Sequence, residues 1–161
     1  MNQELKELII KICITIGIVA FLLFFVVGVH VYHKNNMAPS IRDGDLVITY
    51  KLNKGLYSDT VVSYKGSDGT RQFGRIVGVP DDEIIIDEKG NFTINGNIPL
   101  ENVYYNTFPD TGITYPYKVP ENSYFILNDY RDDKKDSRQY GAIEKKKIEG
   151  QVFFQLRRRG F

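Results

Sequence analysis

The chain has 161 residues, with 21 Lys and Arg against 20 Asp and Glu and a formal net charge of +1. That balance excludes the uniformly basic surface expected of a nucleic-acid-binding protein. The single cysteine, Cys13, excludes an intrachain disulfide and a Cys-based metal site, and with histidine only at His30 and His33 the rest of the chain lacks the ligands of a His-rich metal site and a His-dependent catalytic base.

The first element is apolar. Ile12 to Tyr32 carries no Asp, Glu, Lys or Arg over 21 residues. At about 1.5 Å per residue this reaches about 31 Å as a helix, the thickness of a hydrocarbon core. The reading is a transmembrane anchor over 12–32, preceded by a short segment 1–11 and followed by one domain, 33–161. A cleaved signal peptide is the competing reading, but its apolar region is shorter, about 7–15 residues, and His33-Lys34-Asn35-Asn36 is no small-residue cleavage site. Lys6 and Lys11 are offset by Glu4 and Glu7, and Lys34 follows the run, so flanking charge barely chooses an orientation. Cys13 is expected to be a small lipid-facing residue.

Beyond the apolar run, short alternating stretches are separated by turn residues, the pattern of an antiparallel, mainly β domain. Strands are expected at Asp45–Tyr50, Thr60–Tyr64, Gln72–Val79, Glu83–Asp87, Phe92–Ile94, Ser123–Leu127 and Gly150–Leu156. Asn95-Gly96 is a strong hairpin dipeptide. The Tyr- and Pro-rich segment from Glu101 to Val119 is expected to be a long loop. Two basic clusters, Lys145–Lys147 and Arg157–Arg159, fit either contact with anionic lipid or solvated surface.

Four pieces occur in a telling order: Asn36-Met37-Ala38-Pro39-Ser40-Ile41; Asp43-Gly44-Asp45; Gly74-Arg75-Ile76-Val77-Gly78-Val79-Pro80-Asp81-Asp82; and Asn128 to Gly141, NDYRDDKKDSRQYG. Together, just after a membrane span, they resemble type I signal peptidases, serine proteases that release exported proteins from their leaders. That family's pattern is Ser-Met-x-Pro-Thr/Ser, then Gly-Asp, then Lys-Arg-x-x-Gly-x-Pro-Gly-Asp, then Gly-Asp-Asn-Arg-Asp-Asn-Ser-x-Asp-Ser-Arg. The Ser before Met is the nucleophile there and the Lys before Arg its general base, a pairing that needs no histidine.

The departures are concentrated at the chemistry. Asn36 stands at the nucleophile position and Gly74 at the base position. Lys134 replaces the Ser that orients the lysine, and Lys34 replaces a small residue two before the nucleophile. Met37, Pro39, Arg75, Asp129, Arg131, Asp136, Ser137 and Arg138 persist as framework and cleft residues, the Asp and Arg among them suited to a charge-paired network. A carboxamide is a very poor nucleophile and glycine accepts no proton, so the catalytic set is expected to be vestigial. A relocated dyad would need Ser40 with Lys34, Lys65 or Lys134.

Within the family, the chain resembles the inactive signal-peptidase-like members of streptococcal pilus assembly. That likeness implies a signal-peptidase-type β domain on one transmembrane helix, with the N-terminus cytoplasmic and the domain outside a Gram-positive cell. It implies the membrane, exported proteins or pilin subunits, and a sortase as partners, with neither metal nor cofactor. An active leader peptidase is the alternative; a plain structural membrane protein is the third reading.

Overall fold

A computed structural model of the protein describes residues 3–52, 55–100 and 105–157. Its first element is helix α1, Gln3–Val26, and the next, β1, is Val27–Val31. The helix expected over 12–32 therefore begins earlier, at Gln3, and ends earlier, at Val26. The helix begins among the charged residues Glu4 to Lys11, whose long side chains do not oppose helix formation. It stops at Val26 because Val27-Gly28-Val29-His30-Val31 pairs with Leu46–Tyr50 as a strand, Val29 opposite Ile48 and Val31 opposite Leu46. Gly28 is required there: a β-carbon would lie under 3.0 Å from Thr49 Oγ1. Thus the sheet domain starts at residue 27. At 24 residues α1 is about 36 Å long. It is long and apolar enough to cross a membrane, and none of its residues is buried in the domain.

The remaining strands are β2 (Leu46–Tyr50), β3 (Val61–Lys65), β4 (Arg71–Gly78), β5 (Glu83–Ile86), β6 (Phe92–Ile94), β7 (Tyr117–Lys118), β8 (Ser123–Leu127), β9 (Ile143–Glu144) and β10 (Ile148–Leu156). Every expected strand is present within a residue or two. A seven-stranded sheet runs in the order β1-β2-β10-β3-β4-β8-β9, and a small second sheet in the order β6-β5-β7, all antiparallel. Asn95 and Gly96 both have positive φ, as a type I′ turn needs, but the return past them is a single bridge, Ile94 to Asn97. Segment 105–119 is loop apart from β7. The long-loop expectation over 101–104, and Arg158 and Arg159, lie outside the described residues.

β8 explains how the two sheets share one core. Its five residues are all buried, because alternate side chains enter opposite layers. Phe125 and Leu127 pack with Val77, Ile84 and Val119 toward the small sheet. Tyr124 and Ile126 pack with Val62, Tyr64 and Ile76 on the other side. A third cluster, Tyr32, Met37, Ile41, Val47 and Phe73, holds the turn that follows β1 against β2 and β4.

Candidate functional site

That third cluster fixes the segment in which Asn36 lies. Met37 is completely buried, and Ile41 donates its amide to the Met37 carbonyl at 2.8 Å, closing the turn. Asn36 is held at both ends of its carboxamide. Its Oδ1 accepts from the Tyr32 hydroxyl, and its Nδ2 donates to Asn128 Oδ1 at 2.7 Å. Its backbone carbonyl accepts from the Tyr130 amide at 3.0 Å. Asn128 Nδ2 in turn donates to the Asp133 carbonyl. The family pattern has glycine where this chain has Asn128, so a side chain has appeared opposite the altered nucleophile position and bonds to it. That departure was visible in the sequence; the contact was not.

The contact should be measurable. Asn36→Ala or Asn128→Ala alone leaves the other buried carboxamide short of a partner, and each should cost about 1–3 kcal/mol. The double variant should cost less than the sum of the two. Thermal unfolding of the full chain in detergent, run as a double-mutant cycle, checks this; strict additivity would show that the two side chains do not interact.

Gly74 lies in β4 opposite Val62. A β-carbon there would fall under 3.0 Å from Ile126 Cγ2 and 3.3 Å from both the Leu127 carbonyl oxygen and Tyr64 Cε1. The room beside the base position is occupied by neighbouring side chains. Ile126 is wholly buried and β-branched, so it has little freedom to swing aside.

Around these two positions the charged framework is intact. Arg75 reaches Asp129 through two parallel bonds, Nε to Oδ1 and Nη2 to Oδ2, both 2.7 Å. Its Nη1 bonds the carbonyl and carboxylate of Asp59, a partner the sequence did not point to. Burial works against the Arg75 charge, and its bonds to Asp129 and Asp59 more than offset it, so its pKa is raised. Arg138 is fully buried and uses all five donors: two on Asp136 and the others on the carbonyls of Phe108, Arg131 and Asp133. Asp136 also caps the short helix α2 (Ser137–Tyr140) through the Arg138 amide and accepts from the Asn128 amide. Ser137 Oγ accepts from the Ile126 amide at 2.9 Å. Arg131 is buried with its guanidinium 6.0 Å from the Phe92 ring centre. It therefore belongs to the wall of the small sheet, apart from the Arg75–Asp129 pair.

Of the residues named for a relocated dyad, Ser40, Lys34 and Lys134 each bond other groups. Ser40 Oγ accepts from Arg75 Nη2 at 3.2 Å, a guanidinium that cannot act as a base. Lys34 Nζ donates to Gln72 Oε1 at 2.6 Å, and Lys134 Nζ to the Pro109 carbonyl at 2.7 Å. Lys134 thus fastens the 105–118 loop instead of facing Asn36. Arg157, the last described residue, bonds the carbonyls of Pro39 and Ser40 and closes the turn from outside.

Between β1 and β4 lies an open groove of about 530 Å³, lined by Val29, Tyr32, Phe73 and Arg71 among others. Tyr32 and His30 both meet Phe73 edge-on, at 5.5 and 6.0 Å, and His30 Nδ1 contacts Arg71 Nη1 at 2.9 Å. Partial burial and the Arg71 charge hold His30 below the usual histidine pKa.

The chain matches the family of signal peptidases, peptidase S26, over residues 5–156. Signal peptidase IB of Staphylococcus aureus strain Mu50 is 30% identical over 97% of this chain and 91% of its own length. A probable signal peptidase I-2 of Synechocystis is 27% identical over 92% of this chain and 69% of its own length. The crystal structure of a signal peptidase I from Enterococcus faecalis V583 superposes with a TM-score of 0.54, covering 62% of this chain and 98% of that one at 22% identity, which speaks for the fold.

Proposed function

The chain belongs to the peptidase S26 signal peptidases, and we propose that it is a member that binds exported polypeptides at the membrane without cleaving them. The observation that carries this reading is the pair of occupied positions. Asn36 is bonded into the framework through both ends of its side chain, and the space at Gly74 is filled by Ile126 and Tyr64. Meanwhile the groove between β1 and β4 remains, and among the described residues β1 pairs on one side only, with β2. A free strand edge beside a lined groove suits an extended peptide added as a strand.

On this reading α1 crosses the membrane with the N-terminus in the cytoplasm and the β domain outside. A second apolar surface supports membrane contact. Val29, Val31, Phe153, Phe154 and Leu156 are exposed, and the register sets Val29, Ile48 and Phe154 in one row and Val31, Leu46 and Leu156 in the next. Such a patch, continuous with the end of α1, is far more apolar than water-facing sheet surface usually is. The clients proposed are pilin-type surface subunits, held for a sortase.

The test is to incubate the full-length protein in neutral detergent with a leader-bearing pilin precursor and with its mature subunit. Retention of both at unchanged length is expected. A shortened precursor that disappears with Ser40→Ala would restore the enzyme reading. Retention of neither would leave only a structural membrane protein.

A further inference from the structure

We infer that the cavity beside Asn36 is a carboxylate-binding pocket that takes an acidic side chain of the bound polypeptide. This deepens the client-binding reading and rests on it. The cavity is separate from the β1–β4 groove, although Lys34 borders both. It measures about 350 Å³, and four lysines line it, Lys34, Lys65, Lys135 and Lys147, against two acids, Asp68 and Asp133.

The lining is net positive, four lysines against two acids, although Lys34 acts on Asp68 and Lys147 on Glu144 through space. Lys34 bonds only the neutral Gln72 side chain, and the other three make no hydrogen bond or ion pair through their ammonium groups with any described residue. The two acids are occupied locally: Asp68 holds the Thr70 amide and hydroxyl, and Asp133 accepts from the Lys135 amide at 3.0 Å. The Lys145–Lys147 run is split by the fold. Lys146 pairs with Glu144 at 2.6 Å, while Lys147 borders the cavity.

A second observation is independent of the lysines. Tyr64 lies on the cavity wall, is only 4% exposed, and its hydroxyl has no hydrogen-bond partner among the described residues. Burial pushes its pKa well above the ordinary tyrosine value, so it stays a neutral donor, with its hydroxyl open to the cavity. A small apolar side chain would leave that donor unpaired. A carboxylate would accept from it and from the ammonium groups through charge-assisted bonds. The occupant belongs to a polypeptide because Asn36, at the position where this family meets its exported substrate, forms part of the same wall.

The probe is a fluorescent Glu-Ala repeat peptide, with the Gln-Ala repeat as its uncharged match, titrated against the full-length protein in neutral detergent. The Glu peptide should bind about tenfold tighter than the Gln peptide, with the gap closing as salt rises. K135E/K147E should cost about tenfold for the Glu peptide and nothing for the Gln peptide. Tyr64→Phe should cost about threefold without changing the salt dependence, as loss of one neutral hydrogen bond does. Equal binding of the two peptides, or indifference to K135E/K147E, overturns the pocket. So does displacement of the Glu peptide by inorganic phosphate or anionic vesicles at lower concentration than by unlabelled peptide, which would assign the cavity to a headgroup. Failure here with pilin subunits still retained would leave the client-binding reading standing. Glu-peptide binding with no subunit retained would remove that reading and keep the pocket.

Discussion

Restoring serine and lysine together, N36S/G74K, is expected to yield a protein that still does not cleave a leader-bearing precursor and is less stable than the parent. The lysine is the larger obstacle. Its β-carbon would meet Ile126 Cγ2 under 3.0 Å and crowd Tyr64. Overpacking of this kind costs about 1–3 kcal/mol, through shifted backbone and unfavourable rotamers. The serine fares little better. Asn36→Ser removes the bonds that the carboxamide makes to Tyr32 and Asn128, and it leaves Asn128 facing a shorter hydroxyl. Lys134, at the orienting position, is turned away to the Pro109 carbonyl. Near-attack geometry tolerates little displacement, so a dyad set into a repacked strand has no productive register. Two readouts separate the causes. Adding Ile126→Ala should recover part of the stability that Gly74→Lys loses, whether or not cleavage appears. Precursor cleavage by N36S/G74K at a rate comparable with an active signal peptidase would falsify the view that the site has closed over.

The strands of the domain were legible because alternation survives wherever one face is buried, as in Leu46–Tyr50 with Val47 and Thr49 inward. β8 was legible for the opposite reason, a short apolar run buried on both faces. β1 was not, because Val27–Val31 continues the hydrophobicity of α1 without a break, and hydrophobicity alone does not mark where a helix hands over to a strand. The two-residue strands β7 and β9 are too short to carry any period. At the site, the order of motifs identified Arg75, Asp129, Asp136 and Arg138, but not who pairs with whom. The Arg75–Asp129 pairing arises from β4 lying beside β8, a contact between segments 54 residues apart, whereas Arg138 meets Asp136 only two residues away. Tyr64 and Ile126, which fill the base position, were anonymous core residues until the sheet brought them there.

Removing the Asp129 carboxylate should be among the most damaging single changes outside the apolar core. Asp129 is fully buried and Arg75 is 10% exposed, so Asp129→Ala leaves a guanidinium in the interior with two bonds gone. Breaking a buried pair from one side costs about 3–5 kcal/mol. Asp59→Ala removes the other carboxylate on Arg75, but that group is half exposed, and the loss should stay below about 1 kcal/mol. Replacing both members of the buried pair with apolar residues of similar volume, R75M/D129L, should be much milder than Asp129→Ala. If the double variant is folded and Asp129→Ala is not, then the pair does not hold the domain up by attraction; the requirement is that neither charge be left alone. Ser40 would then lose its hydrogen bond from Arg75 in an otherwise intact sheet. Chemical unfolding of the four proteins in detergent orders the costs. Hydrogen exchange at Ile41 and Gly44, whose amides close the turn around Asn36, reports whether Arg75 and Asp129 serve that turn specifically. Equal costs for Asp129→Ala and Asp59→Ala would mean that burial does not set the strength of this network.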